Sequence, residues 1–273
     1  NVKKESVIQS IDASTIYDVP NMMLEEGLDK VVLNQLQLEA HTPDLTSWNN
    51  FTEKLKNPKS DIVIGLIGKY VELQDSYKSI LEAFIHAGAA NEVRVKVVSI
   101  HSEFLDAQNV KLKIENLDGV LVAPGFGERG IEGKIEAIRY VREHNIPFFG
   151  ICLGMQMAVI EFSRNVLNLH KANSSEMDEL TPFPVIDLME AQKLITKKGG
   201  TMRLGSWECN LLENSKVATI YNKNIITFGI DPILDKYKTE YRKINFKVSN
   251  FFSAKEILSK TKKKFKIITA LSV

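Results

Sequence analysis

Ile146-Pro147-Phe148-Phe149-Gly150-Ile151-Cys152-Leu153-Gly154-Met155-Gln156 is the stretch that decides the fold. The apolar run Ile146 to Ile151 reads as a strand, and Met155 to Arg164 reads as a helix. Between them stands Cys152, flanked by Gly150 and Gly154, at the apex of a sharp turn. The pattern G-x-C-x-G is the cysteine form of the G-x-S-x-G nucleophile elbow. A residue at such a turn is strained, and its neighbours approach closely only where they lack side chains. The turn lifts the sulfur off the sheet edge and sets it near the positive end of the next helix, which favours a thiolate. A free cysteine is otherwise a common core residue. The two glycines and the strand–helix setting point here to a nucleophile.

Outward from this elbow, strands alternate with helices. Ile62 to Ile67, ending in Gly68, reads as a buried strand, Ser76 to Ala87 as a helix and Val93 to Ile100 as a strand. Gly119 to Ala123 is a further short apolar strand. Ile131 to Glu143 has helical spacing, with Ile135, Ile138 and Val141 on one face. The alternation implies an α/β fold with a mostly parallel sheet covered on both faces. In such sheets the ligand site lies at the carboxyl ends of the strands. Cys152 sits at such an end, and so does the turn after Ala123.

The first 58 residues read differently. Ile11 to Pro20 carries short strand and turn signals, Asn21 to Leu38 is a helical run, and Leu45 to Leu55 is a second one. Asn57-Pro58-Lys59-Ser60-Asp61 has the composition of a linker. The chain starts Asn1-Val2-Lys3-Lys4-Glu5, which is neither a Met start nor a signal peptide, and it reads as a piece of a longer protein.

Composition narrows the function classes. The 273 residues are 44% hydrophobic and 25% charged, as in ordinary soluble domains, and the formal net charge of +1 gives no reason to expect nucleic acid or an anionic membrane as partner. No apolar run is long enough for a transmembrane helix. Two cysteines, Cys152 and Cys209, make no disulfide framework, so a reducing cytoplasm is expected. The lysines from Lys262 to Lys264 read as a solvated run.

A second constellation is Pro124-Gly125-Phe126-Gly127-Glu128-Arg129-Gly130, again between a strand and a helix. Backbone N–H groups freed by glycines at a helix start can hold an oxyanion or a phosphate. By itself such a stretch is a plain turn; beside a nucleophile elbow it reads as the oxyanion hole of an acyl-transfer enzyme. Gln156, one turn into the elbow helix, and Glu176, in Ala172-Asn173-Ser174-Ser175-Glu176, are an amide and a carboxylate suited to holding an amino acid. The alternative for Glu176 is a solvated loop acid.

Taken together, these residues resemble the C-terminal part of the CTP synthase family, with its class I glutamine amidotransferase domain. The resemblance is carried by Gly125 to Lys134, by Gly150 to Gln156, by Glu161-Phe162-Ser163-Arg164-Asn165-Val166-Leu167, by Asp178, and by Gly199-Gly200-Thr201-Met202-Arg203-Leu204-Gly205. It implies a flavodoxin-like sheet of the class I amidotransferase type. It divides the chain into the end of the synthetase (amidoligase) half with its linker, residues 1–58, an incomplete amidotransferase domain, 59–222, and a non-matching tail, 223–273. The family makes CTP from UTP, ATP with magnesium, and glutamine, and its full-length members assemble as homotetramers. Cys152 would be the nucleophile of a cysteinyl-glutamyl intermediate. Gly125, Leu153, Gly154, Met155, Gln156 and Glu176 would bind glutamine. Arg129, Gly130 and Glu132 would belong to a lid loop that responds to GTP, the family's activator. Asp12, Ala13 and Ser14 would be a remnant of the synthetase nucleotide site. No cofactor and no metal is implied for the amidotransferase domain.

The chain departs from the family after Asn222. The family completes its triad with a histidine and a glutamate in a late (Phe/Tyr)-His-Pro-Glu motif, and an earlier Arg-His-Arg-His-Arg-(Tyr/Phe)-Glu motif helps to bind glutamine. Neither is present: the five histidines are His41, His86, His101, His144 and His170. His86 and His144 read as residues that cap or flank helices, and His170 as a surface residue. The Lys-, Ile-, Asn-, Phe- and Ser-rich tail has the composition of AT-rich codons read out of frame, and the expectation is a frameshifted or mis-joined end; a divergent tail is the alternative. Loss of the histidine implies weak or absent glutaminase activity, with a non-catalytic glutamine-binding or assembly module as the rival reading.

Overall fold

A computed structural model describes residues 3–39, 41–187, 207–222, 225–228 and 267–270. The Gly199–Gly205 run, Lys262 to Lys264 and most of the tail lie outside the described residues. The chain divides into two compact units, residues 1–62 with 79–95, and residues 63–78 with 96–273.

The first unit is helical. The strand and turn signals of Ile11 to Pro20 resolve into a 3₁₀ turn at Ile16–Asp18 that leads directly into α1, Val19–Glu25, with Pro20 in its first turn, where the missing N–H costs nothing. The single helix expected over 21–38 is two, because Gly27 takes a left-handed φ of 74° between α1 and α2, Leu28–Gln35. Helix α3 is Thr46–Lys56 and α4 is Lys78–Asn91. Tyr17 is the buried centre of this unit, ringed by Trp48, Phe51 and His86. Its hydroxyl donates to Glu82 Oε2 at 2.6 Å and lies 2.8 Å from His86 Nε2. Burial, with the Glu82 carboxylate adding to it, pushes the Tyr17 phenol up to about 12. His86 is thus an exposed residue in the middle of α4 that meets Tyr17, rather than one that caps or flanks a helix end.

The second unit is built on a five-stranded sheet in the order β2-β1-β3-β4-β9. Its strands are β1 (Ser60–Gly68), β2 (Val93–His101), β3 (Gly119–Val122), β4 (Phe148–Ile151) and β9 (Ile267–Ala270). The segment expected as a linker therefore already begins β1, and Pro147, which cannot donate to a ladder, holds the start of β4 back to Phe148. Pairs β1–β3, β3–β4 and β4–β9 are parallel, with Leu66 opposite Leu121, Val122 opposite Gly150 and Gly150 opposite Thr269. The outer edge of β4 is therefore covered by a strand from the tail. Parallel pairing brings the carboxyl ends of β1, β3 and β4 to one edge, and with them Lys69, Ala123 and Cys152.

Helices α6, Ile131–Glu143, and α7, Leu153–Asn165, pack together, while a short α5, Val110–Ile114, was not legible in the sequence. Ile135, Ile138, Val141, Leu153, Met157 and Ile160 join Ile67 and Val122 in one buried cluster. Each such side chain contributes about 1.5–3 kcal/mol by leaving water. Further described elements are a parallel pair, β5 (Ala172–Ser174) with β6 (Phe183–Ile186), an antiparallel pair, β7 (Trp207–Asn210) with β8 (Ile225–Phe228), and α8, Lys216–Tyr221. Cys209 lies in β7.

Candidate active site

Cys152 holds φ 49° and ψ −108° immediately before α7, a backbone conformation that side-chain-bearing residues rarely adopt. The strain is maintained by packing on both sides. A Cβ on Gly150 would come 2.7 Å from the Gly154 carbonyl carbon, and one on Gly154 would run into the carbonyl of Val122. The two glycines therefore let the first turn of α7 lie directly on β3 and β4, with half-buried Cys152 at the bend. The Cys152 carbonyl accepts the first helical bond, from the Gln156 N–H at 3.0 Å. The N–H groups of Leu153, Gly154 and Met155 belong to the first turn, where an α-helix leaves donors without intrahelical partners.

The glycine turn after β3 meets this bend. A Cβ on Gly125 would lie 3.6 Å from Leu153 Cδ2 and 3.9 Å from Lys134 Nζ. Gly125, Leu153 and Gly154, three of the residues expected to bind substrate, are thus gathered beside Cys152. Met155 and Gln156 follow in the same helical turn, both half-buried. Glu176 is exposed in the turn after β5, its N–H donating to Ser174 Oγ at 3.2 Å.

Two lysines not singled out in the sequence anchor the glycine turn. Lys134, fully buried on α6, donates to the Ala123 carbonyl at 2.8 Å. Lys69, at the end of β1 and 3% exposed, donates to the carbonyls of Phe126 at 2.5 Å and Gly127 at 2.8 Å. Burial holds the Lys69 ammonium below the ordinary lysine range; the like charge of Arg129 adds to this, while Glu103 and Glu176 work against it. Burial also brings Lys134 down to about 8, assisted by the charge of Lys69 and opposed by Cys152. The signal for Lys134 was its position: it shares the apolar stripe of Ile131, Ile135 and Ile138, so it points where a solvated lysine would not. Lys69 had only its place just past a strand end.

The three residues expected in the lid loop stand at the start of α6. Arg129 pairs with Glu103 at 2.8 Å and lies over the Tyr70 ring, 5.4 Å from its centroid. Gly130 takes a left-handed φ of 72° against Ser102, where a Cβ would collide with the serine hydroxyl. Glu132 accepts two bonds from Arg164, both at 3.0 Å. Asp12, Ala13 and Ser14 belong to the first unit, where Ser14 Oγ donates to Asp18 Oδ2 at 2.8 Å.

The histidines of the second unit are engaged elsewhere. His101 Nδ1 accepts from the Glu103 N–H at 3.3 Å, His144 closes α6 against the Tyr140 carbonyl and ring, and His170 is exposed. Among the described residues no group of three or more His, Cys, Asp and Glu side chains gathers to hold a metal ion, and no helix is long and apolar enough to cross a membrane.

The chain is 66% identical to the CTP synthase of Flavobacterium psychrophilum over 242 residues, 88% of this chain and 44% of that protein. It is 64% identical to the CTP synthase of Christiangramia forsetii, again over 88% of this chain and 43% of the relative. The chain therefore spans less than half the length of these relatives. The glutaminase domain of Trypanosoma brucei CTP synthase, solved with bound acivicin, superposes with a TM-score of 0.56 at 38% identity, covering 61% of this chain and 65% of that one. Both have the α/β fold with a mostly parallel sheet expected from the sequence. The family model "Glutamine amidotransferase class-I" matches residues 72–263, past the boundary read at 222, although no histidine follows His170. That match takes in the glycine turn, the elbow and both sheet-flanking helices, and on it the chain belongs to the class-I glutamine amidotransferase family.

Proposed function

We propose that this chain is the glutamine-hydrolysing part of a CTP synthase, and that it releases ammonia from glutamine for the amination of UTP to CTP. One observation carries the reading: the strained Cys152 at the strand–helix bend, with Gly125 and Leu153 side by side next to it. The similarity to CTP synthases supports the choice among amidotransferases. ATP with magnesium would serve the synthetase half and GTP would activate; residues 1–58 would be the end of that half.

The chemistry follows from the bend. The Cys152 thiolate attacks the side-chain amide carbon of glutamine, forming a carbon–sulfur bond and pushing the carbonyl pair onto oxygen. Backbone N–H groups of Gly125 and Leu153 would hold that oxyanion. The carbon–nitrogen bond breaks, and nitrogen takes a proton and leaves as ammonia. Water then attacks the thioester, giving glutamate and the free thiolate. Gln156 and Glu176 would hold the substrate's α-carboxylate and α-ammonium ends. With no histidine after residue 170 to move these protons, turnover should be low, since loss of a triad member costs on the order of 10⁴ to 10⁶ in hydrolases.

The absence of that histidine favours the second reading, a module that binds glutamine without cleaving it. Ammonia release from glutamine by the purified chain, with Cys152→Ala as control, separates the two. Cysteine-dependent release supports the glutaminase. Saturable glutamine binding with no release above the control, and no covalent labelling of Cys152 by a chloroketone glutamine analogue, supports the module.

A further inference from the structure

The glycine turn after β3 has little of its own to hold it in place. Among the described residues, none of Pro124, Gly125, Phe126 and Gly127 makes a hydrogen bond to another main-chain group. Packing does not hold its far half either. The Phe126 side chain is 84% exposed, and Gly127 takes a left-handed φ of 70° with nothing within 4 Å of where a Cβ would stand. A glycine in such surroundings can leave that conformation at little cost. Gly125, one residue before, nevertheless borders Leu153, whose Cδ2 lies 3.6 Å from the position of a Gly125 Cβ.

Lys69 supplies the hold. It is 3% exposed, and its Nζ donates to the Phe126 carbonyl at 2.5 Å and to the Gly127 carbonyl at 2.8 Å. Two of the three ammonium donors are thus taken up by consecutive carbonyls, with bonds of the stronger, charge-assisted kind. Each peptide unit is planar, so fixing its carbonyl also fixes the direction of the next N–H. Lys69 is itself well seated. Its N–H donates to Tyr77 Oη at 3.1 Å, and the Tyr70 N–H reaches the same hydroxyl at 3.4 Å. The Ala123 N–H bonds the Ile67 carbonyl at 2.9 Å, so the lysine and the root of the turn stand on neighbouring strand ends. At that root Lys134 donates to the Ala123 carbonyl at 2.8 Å. Gly125 therefore lies between two gripped stretches of main chain, one at Ala123 and one at Phe126 and Gly127.

We propose that Lys69 is a positioning residue of this site: by gripping the Phe126 and Gly127 carbonyls it keeps Gly125 beside Leu153 and Cys152, where the Gly125 N–H meets the carbonyl oxygen of the substrate. The part in substrate attack rests on the glutaminase reading; the grip on the turn does not.

The grip is read without any ligand, by nitrogen-15 relaxation of the full chain. In the unaltered chain the N–H groups of Gly125, Phe126 and Gly127 should be as rigid as those of α6, with order parameters of about 0.85, although Phe126 is exposed. In Lys69→Met they should fall below about 0.6 while α6 stays rigid. Lys69→Arg, which keeps a charged donor, should retain the rigid turn. A turn already below about 0.6 in the unaltered chain, or one that stays rigid in a folded Lys69→Met or Lys69→Gln chain, overturns the proposal.

The consequence for the site is read by labelling with a chloroketone glutamine analogue. The Cys152 thiolate forms a carbon–sulfur bond to the chloromethyl carbon and chloride leaves, while the ketone oxygen stands where the amide oxygen of glutamine would. Losing an oxyanion donor outright costs on the order of 10² to 10³, and a loosened one should cost about tenfold in the maximal labelling rate of Lys69→Met. The half-saturating concentration of the analogue should stay within about twofold, as should alkylation of Cys152 by iodoacetamide, which reports only on the sulfur. An equal fall with both reagents, or an unchanged maximal rate in a chain whose turn has loosened, overturns the proposal. If the unaltered chain takes no analogue on Cys152, the glutaminase reading falls, and the order parameters by themselves uphold or overturn the grip of Lys69.

Discussion

Gly154 rests against the main chain of Val122 so closely that a single added carbon at 154 would overlap the Val122 carbonyl. This contact seats the first turn of α7 on β3 and so sets the height of Cys152 above the sheet. Gly154→Ala should push the turn away at a cost of about 3 kcal/mol, the upper range for an overpacked site. Urea unfolding gives the stability, and the rate of Cys152 alkylation reports the moved bend. A variant as stable as the parent would show that α7 can shift freely, contrary to this packing.

Arg142 and Glu161 join α6 to α7 through a buried ion pair. The guanidinium donates to the Glu161 carboxylate at 2.7 and 3.0 Å, and Asn165 Nδ2 adds a bond at 3.1 Å. Glu161 is fully buried. Arg142→Met would leave that carboxylate without its countercharge, and the expected loss is about 3–5 kcal/mol. The double replacement Arg142→Met with Glu161→Leu should recover much of it, because no buried charge remains. Equilibrium denaturation of the three variants measures the coupling.

Stability should rise with pH above about 8 on account of Lys134. Burial, then the charge of Lys69, brings its pKa down from the ordinary 10.5 to about 8. Below about 8 the group is charged in both folded and unfolded chains, and the folded state carries the whole penalty. Between about 8 and 10.5 the folded chain has released the proton while the unfolded chain still holds it, so the unfolded state binds more protons and stability climbs. The full span is worth about 3 kcal/mol at most. Tyr17, raised to about 12, acts oppositely above pH 10, so the comparison is with Lys134→Met, which should lack the climb between pH 8 and 10. Urea midpoints at pH 7, 8, 9 and 10 check it.

Arg164 ties the start of α6 to the strand that leads to Glu176. Its Nη1 pairs with Glu132, and its Nε donates to the Ala172 carbonyl at 2.7 Å. Arg164→Gln should release both, and amide hydrogen exchange across residues 172–176 should quicken by about tenfold, in line with the loss of a charge-assisted bond worth roughly 1.5 kcal/mol. Unchanged exchange in that segment would mean that β5 is held by β6 alone.

What the sequence by itself determined was local. Strand, bend and helix around Cys152 were legible because a continuous apolar run, two glycines and a helical run are all written in consecutive residues. The carboxyl-edge location of Gly125 and Cys152 followed, since parallel strands joined by helices end on the same side. The break at Gly27, the first residues of β1 and the short α5 were not legible, because a lone glycine, a Pro-Lys-Ser stretch and a five-residue helix give weak signals in one dimension. Tertiary structure alone decided the electrostatics of the site. Lys69 and Lys134 lie far apart in the chain, yet both reach the carbonyls of one glycine turn, and Arg142 finds Glu161 only where α6 meets α7. The physical reason is that a residue's backbone preference is its own, whereas the energy of a charge depends on what excludes water from it, and that is set by elements distant in sequence.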